Sequence, residues 1–263
     1  MIVERIWVGN RLRNYNYLVA CEETGESLAI DPLDHQRCYD LARERGFNIT
    51  QVLNTHEHGD HTGGNRGLIA ATGATLIAHA DAGGSIDGVD RGVTKGDIIR
   101  VGRTVELECL DTPGHTMSHI CLLAHAPEPA LFSGDTLFNA GAGNCHNGGH
   151  PEALYETFRS QLSRVDEAAK LYPGHDYLAN NLQFTLDREP SNAAAAALLA
   201  EISGQDGADA PVTTLGQEKA INTFFRLCEP AVIEGLRAAF GGQLDELDDK
   251  AVFLRLRELR NRW

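Results

Sequence analysis

Residues 53–61 read Leu53-Asn54-Thr55-His56-Glu57-His58-Gly59-Asp60-His61. The stretch begins where the apolar run Gln51-Val52-Leu53 ends and glycines start. Side chains two apart on an extended chain point the same way, so His56 and His58 can grip one ion. Asp60 and His61 lie where the chain turns and can address a second position. Three histidines and an aspartate within six residues are too dense for an ordinary surface loop. Glu57, between two such ligands, is expected to point away as an exposed carboxylate.

Three later segments repeat one local design: Leu110-Asp-Thr-Pro-Gly114-His115, Leu131-Phe-Ser-Gly134-Asp135 and Leu171-Tyr-Pro-Gly174-His175. Each is a short apolar strand ending in a turn, with glycine directly before a histidine or aspartate. Glycine there permits a strained turn and close backbone approach, and the design places a ligand at the rim of a sheet. Sorted by residue, one site holds His56, His58 and His115, and the other holds Asp60, His61 and His175. Asp135, with two oxygens, can bridge both. An imidazole-rich set suits zinc or iron better than magnesium or calcium, with manganese also accepted. Two ions about 3.5–4 Å apart can share a water and deprotonate it near neutral pH. His119, four residues after His115, and His79 are read first as structural, with orientation of a ligand by His119 kept as the lesser alternative.

Around this constellation the chain alternates strands and helices. Strands are expected at residues 2–8, 15–21, 27–30, 51–53, 75–78, 98–101, 105–110, 120–124, 130–132 and 170–172. Helices are expected at 35–45, 64–71, 151–165 and 177–186, with a polar loop at 56–64. After residue 186 only helices follow, at 192–201, from the capping box Thr214-x-x-Gln217 through 227, at 230–240 and at 248–260. The expectation is an α/β protein of two layered sheets with helices outside and a small helical C-terminal domain, divided as 1–178 and 179–263.

The chain has 263 residues, enough for one large domain or one with a smaller second. Lys and Arg number 23 against 37 Asp and Glu, a net charge of -14, which makes nucleic acid and anionic membranes poor partners. Four arginines and one glutamate nevertheless crowd the last nine residues. Glu4 interrupts any apolar run at the start, and no 18-residue apolar stretch exists, so neither a signal peptide nor a membrane span is expected. Six scattered cysteines without a C-x-x-C pair read as free thiols in a reducing compartment, the cytoplasm.

The motif Thr55-His-Glu-His-Gly-Asp-His61, with Gly114-His115, Gly134-Asp135 and Gly174-His175, resembles the metallo-β-lactamase superfamily. The resemblance covers residues 1 to about 180. It implies an αββα sandwich with two divalent metals, zinc foremost, at one edge of the sheets. The stretch PVTTLGQEKAINTFFR (211–226), the terminal LRELRNRW (256–263) and Gly174-His-Asp-Tyr177 resemble the helical domain of the glyoxalase II (hydroxyacylglutathione hydrolase) family. That likeness implies hydrolysis of glutathione thioesters such as S-D-lactoylglutathione by a hydroxide shared between the metals, with Asp60 and Asp135 in the catalytic set. It also implies that Tyr177, Arg257 and Arg260 hold the glutathione. The two arginines share a helix face and can pair with its carboxylates.

One stretch departs from the family pattern. Asn144 stands where a basic residue is usual and His146 where an aromatic is usual; both are kept as candidate substrate contacts. Cys145-His146 is a neighbouring pair that rarely face each other, and reads as polar loop. The competing functions are an iron-dependent glutathione-persulfide dioxygenase and a hydrolase of another thioester or a lactone. A small-molecule thioester is the expected partner, and a monomer or weak homodimer the expected state.

Overall fold

The computed structural model describes residues 1–241 and 247–263. The first sheet holds β1 (Ile2–Trp7), β2 (Tyr15–Ala20), β3 (Glu26–Ile30), β4 (Asn48–Leu53), β5 (Thr75–His79) and β6 (Arg91–Val93), in that order. β1 to β3 pair antiparallel, and β3 to β6 run parallel. The second sheet uses β7 (Ile98–Val101), β8 (Val105–Asp111), β9 (Ile120–Ala124), β10 (Ala130–Gly134) and β13 (Lys170–Pro173), in the order β13-β10-β9-β8-β7. A hairpin of two short strands, β11 (Leu137–Phe138) and β12 (Gly141–Ala142), follows β10.

The strands are apolar on both faces because both faces are covered, and alternation sorts their side chains between layers. Tyr17, Val19, Leu28, Ile30, Leu53 and Ile77 meet Leu107, Leu122 and Phe132 between the sheets. Leu18, Ala29, Val52 and Leu76 face outward against Cys38 and Ala42 of α1 (His35–Arg45) and Leu68 of α3 (Asn65–Thr72); α2 (Gly59–Thr62) lies between those helices in the chain. Leu110, Cys121, Leu123, Leu131 and Leu171 face outward from the second sheet against α4 (Pro151–Ser160). That outer core continues into the C-terminal helices: Phe184 of α5 (Leu178–Arg188), Leu215 of α7 (Leu215–Ile221), Leu236 of α8 (Pro230–Ala239) and Phe253 of α9 (Asp249–Arg260). Ala195 of α6 (Ala193–Glu201) joins a smaller cluster with Leu178, Leu182 and Ile221. The architecture is the expected αββα sandwich with a helical C-terminal region.

Local rules account for the departures from expectation. The loop expected at 56–64 contains the single-turn helix α2. The helix expected at 151–165 ends at Ser160, and a 3-10 turn, Leu162–Arg164, follows. The capping box forms, with Thr214 Oγ1 accepting from Gln217 N and Gln217 Oε1 from Thr214 N. Its helix nevertheless stops at Ile221 rather than 227. Asn222 leaves helical geometry and accepts from Phe224 N, starting a second short turn, Thr223–Phe225. No helix among the described residues is long and apolar enough to cross a membrane.

Candidate metal centre

β3, β4, β8, β10 and β13 all end at one edge of the two sheets, and the clustered residues leave from those ends. Such carboxyl-end crevices are where open α/β sheets place ligands. His56 and His58 follow β4, Asp60 and His61 lie on α2, His115 follows β8, Asp135 follows β10 and His175 follows β13. The glycines of the repeated design act in two ways. Gly134 adopts φ 47°, which L side chains rarely reach. Gly174 has no such φ, but a Cβ on it would lie 2.3 Å from Asp135 Oδ1, so glycine is required for close approach.

The inward atoms form two groups. His58 Nδ1 lies 3.1 Å from His56 Nε2 and 3.0 Å from His115 Nε2. His61 Nε2 and His175 Nε2 are 3.2 Å apart, with Asp60 Oδ2 at 3.6 and 3.4 Å from them. Asp135 faces both groups: Oδ1 is 3.3 Å from His61 Nε2, and Oδ2 is 3.2 Å from His175 Nε2 and 3.5 Å from His115 Nε2.

The outer nitrogens decide what the inner ones offer. His115 Nδ1 donates to Asn144 O (2.7 Å), His58 Nε2 to Asn147 O (3.0 Å) and His175 Nδ1 to Leu12 O (2.7 Å). His61 Nδ1 is 3.0 Å from Asp31 Oδ2. Thr55 Oγ1 donates to Asp31 Oδ2 and so accepts from His56 Nδ1 (3.0 Å). With those protons spent outward, five imidazole lone pairs and two carboxylates face one space. Lone pairs at such spacing repel unless a cation lies among them. Ligand atoms about 2.0–2.1 Å from a tetrahedral zinc stand about 3.3 Å apart, close to the spacings here. Asp135 Oδ1 is buried without a hydrogen-bond donor, a second sign of a missing positive partner. The donor set fits divalent metal ions.

The electrostatics agree. Burial pushes His56 and His115 below the usual imidazole range, so both stay neutral and able to ligate. Burial also opposes charge on His61, but Asp135 and Asp31 outweigh it and hold its pKa well above the ordinary value. Burial likewise opposes charge on Asp135, yet His175 and His61 keep its pKa well below the carboxylate range. Without a metal, a proton on His61 answers the carboxylates' demand for positive charge.

Several of these contacts were not anticipated. Asp31, buried at φ 49°, accepts from Thr55 N (2.8 Å) and Thr55 Oγ1 (2.7 Å) besides facing His61. It also ends an apolar strand, but with proline rather than glycine beside it. Asn14 Nδ2 donates to Asp60 O and Oδ2, both at 3.1 Å. His119 sits behind the cluster, the lesser of its two readings, and accepts from Asp135 N (3.1 Å) rather than contacting a ligand ring nitrogen. Glu57 is half-buried rather than exposed. Its Oε2 accepts from Thr116 and Ser118, tying residues 56–58 to the loop after His115.

The expected substrate residues divide. Tyr177 stacks on His175 with ring centroids 5.0 Å apart, and its hydroxyl is 3.3 Å from His175 Nδ1. Arg260 is half-buried, and its Nε and Nη2 donate to Asn181 Oδ1. Asn144 and His146 are exposed on the loop beyond β12. The two arginines expected to share a face are not equally accessible. Arg257 is only 4% exposed and donates through Nη1 to Ala142 O and Gly143 O, because α9 turns its apolar side inward and carries this residue into the packed face.

Residues 11–175 match the family described as the metallo-beta-lactamase superfamily. Residues 176–263 match the family described as hydroxyacylglutathione hydrolase C-terminus. A hydroxyacylglutathione hydrolase of Polaromonas sp. is 65% identical over the full length of both chains, and one of Nitrosococcus oceani is 58% identical over the same span. The crystal structure of ETHE1 from Myxococcus xanthus superposes with a TM-score of 0.68 at 24% identity, covering 99% of this chain and 98% of that one. At that identity the likeness is one of fold.

Proposed function

This chain belongs to the hydroxyacylglutathione hydrolase family of the metallo-β-lactamase superfamily, and from that premise we propose that it hydrolyses glutathione thioesters, with S-D-lactoylglutathione giving D-lactate and glutathione. The observation that carries the reading is the pair of converging donor triads with Asp135 between them.

In this reading His56, His58 and His115 hold one metal, and Asp60, His61 and His175 the other. Asp135 serves both. Two such ions supply a water of lowered pKa and a Lewis acid for the thioester carbonyl. The chain does the rest by position. Asp31, Asn14, Leu12 O, Asn144 O and Asn147 O aim the side chains. His119 holds the backbone of Asp135. The leaving thiol has a pKa near 8.5, so a thiolate departs without a strong acid beside it. That agrees with a site whose histidines are turned toward metal rather than toward a leaving group.

Glutathione lies across the boundary near residue 178, between the sandwich (1–178) and the helices (179–263). Tyr177 borders the His175 side. Arg260 is the cation left to read a carboxylate, since guanidinium pairs with it bidentately. Asn144 and His146 line the opposite rim. Zinc is the proposed metal, because imidazole nitrogens dominate the set. The six cysteines are free thiols, which supports a cytoplasmic setting. The acidic body supports a small-molecule partner over nucleic acid or an anionic membrane, and a monomer or weak homodimer is proposed. A one-iron persulfide oxygenase built on His56, His58, His115 and Asp135 would leave Asp60, His61 and His175 without a task.

The test is hydrolysis of S-D-lactoylglutathione by zinc-loaded protein, followed by loss of thioester absorbance. Turnover that disappears on chelation is expected. A protein with two bound zinc ions and no turnover refutes the substrate and turns attention to other thioesters, lactones or persulfides.

A further inference from the structure

The chain between Asp135 and the Asn144 loop is gripped from outside, one backbone group after another. Asn181 Nδ2 donates to Asn139 O (2.9 Å). Ala140 N donates to the Glu218 carboxylate (2.7 Å). Asn222 Nδ2 donates to Gly141 O (3.1 Å). Arg257 Nη1 donates to Ala142 O (2.7 Å) and Gly143 O (3.0 Å). Five consecutive residues are therefore held by four buried side chains of the C-terminal region. Ala140 is a non-glycine residue at φ 53°, a conformation that persists only when its surroundings impose it.

The gripped stretch runs straight into the first triad. A Cβ on Gly143 would lie 1.9 Å from Asp135 O and 3.1 Å from His115 Nδ1, so its backbone is packed against both residues. The next carbonyl, Asn144 O, takes the His115 Nδ1 proton, and Asn147 O takes the His58 Nε2 proton. Arg257 is a guanidinium with no carboxylate within 4.0 Å among the described residues. A buried cation is costly unless its donors are used, and here they are used on these carbonyls.

We propose that Arg257 and Glu218 are positioning residues for the His56, His58 and His115 triad: they clamp the backbone of residues 140–143 and so fix the two carbonyls that set the tautomers and angles of His115 and His58. The proposal rests on the reading of that triad as a metal site. It gives Arg257 a part in metal-site geometry and couples the helical region to the metal centre.

The test compares the full chain with Arg257→Met, which keeps the stem but loses the donors, and with Arg257→Lys, which can reach one carbonyl. Zinc affinity is measured by competition with a chromophoric chelator. Histidine tautomers are read in metal-free protein by long-range 1H–15N correlation. Kinetics use S-D-lactoylglutathione and the lactoyl thioester of N-acetylcysteamine, which lacks the glutathione peptide. Arg257→Met is expected to weaken one of two zinc sites about tenfold, the low end for outer partners of ligating histidines. His58 and His115 are expected to lose their single tautomers, and kcat to fall on both thioesters, with partial recovery in Arg257→Lys.

Two zinc sites of unchanged affinity in Arg257→Met, with only KM for the glutathione thioester raised, would overturn the proposal and restore Arg257 as a substrate reader. Should that variant not fold, Glu218→Met decides. It keeps the chain length but removes both acceptors, so Ala140 N loses its partner. A folded Glu218→Met with an unaltered first zinc site overturns the proposal equally. Fewer than two zinc ions on the unmodified protein would instead defeat the metal-site reading.

Discussion

Asp31→Asn cuts a direct hydrogen bond to the second metal triad and reaches the first only through Thr55 and His56. The carboxylate receives three donors: Thr55 N and Thr55 Oγ1 at 2.8 and 2.7 Å, and His61 Nδ1 at 3.0 Å. Asparagine keeps the shape and tolerates φ 49°, as few residues other than glycine do. It offers one oxygen instead of two. If that oxygen serves Thr55 N, its amide group faces Thr55 Oγ1 and His61 Nδ1. The threonine hydroxyl can rotate and accept. His61 must move its proton to Nε2, where it points at His175 Nε2 (3.2 Å) and Asp135 Oδ1 (3.3 Å). One of the three donors of that triad is then lost. Outer partners of this kind are worth about 10–100-fold in metal affinity, or about 1.4–2.7 kcal/mol. The expected result is the His61 site weakened by that factor, the other, linked to Asp31 only through the Thr55 hydroxyl and His56, weakened less, and unfolding stability within about 1 kcal/mol of the parent with both sites stripped. Chelator competition and metal content per chain provide the readout. Two zinc sites of parental affinity in Asp31→Asn would refute the orienting role. Equal loss from both sites would refute the direct His61 bond as the main effect of Asp31.

Stripping the metals should abolish thioesterase activity reversibly while leaving far-UV circular dichroism unchanged, because the three large cores contain none of the ligands. Rebinding at the second triad should release a proton near neutral pH, seen as buffer-dependent heat, since His61 is otherwise held protonated. Gly174→Ala would place a methyl 2.3 Å from Asp135 Oδ1; at least tenfold weaker metal binding is expected, and normal loading would show that the carboxylate can yield. Leu131→Ala, at a fully buried site between β10 and α4, should cost about 2–5 kcal/mol in denaturant unfolding. The buried Glu189 is held below its ordinary pKa: burial alone would raise it, but Arg226 grips it through Nε and Nη2 and Asn192 adds a bond. A depressed carboxyl stabilises the fold above its unfolded pKa and loses that contribution as pH falls through the folded value. The stability gap between parent and Glu189→Gln should therefore be constant from pH 7 to about 5 and shrink below about 4.5.

What the sequence disclosed, and what it withheld, follows from the range of each interaction. The seven clustered residues were legible because their chemistry is local: a histidine or aspartate in the turn that leaves a strand end reaches the rim wherever that strand lies. The layers were legible because alternation writes the burial of both faces into each strand. Asp31 was hidden although it too ends a strand, since its task is defined by His61, 30 residues on, and proline replaced the glycine that marked the others. The burial of Arg257 was hidden for the same reason. A cation three residues before Arg260 shares its face, but only the packing of α9 decides that one guanidinium is buried against carbonyls 114 and 115 residues earlier while its neighbour keeps access to the rim. The Asn144 loop shows the limit most plainly. Its side chains depart from the family pattern and suggested altered recognition, yet the atoms that hold His115 and His58 are backbone carbonyls. Any residue supplies a carbonyl, so side-chain identity is free to vary there while the path of the chain is not, and that path is fixed by helices that begin some 35 residues later.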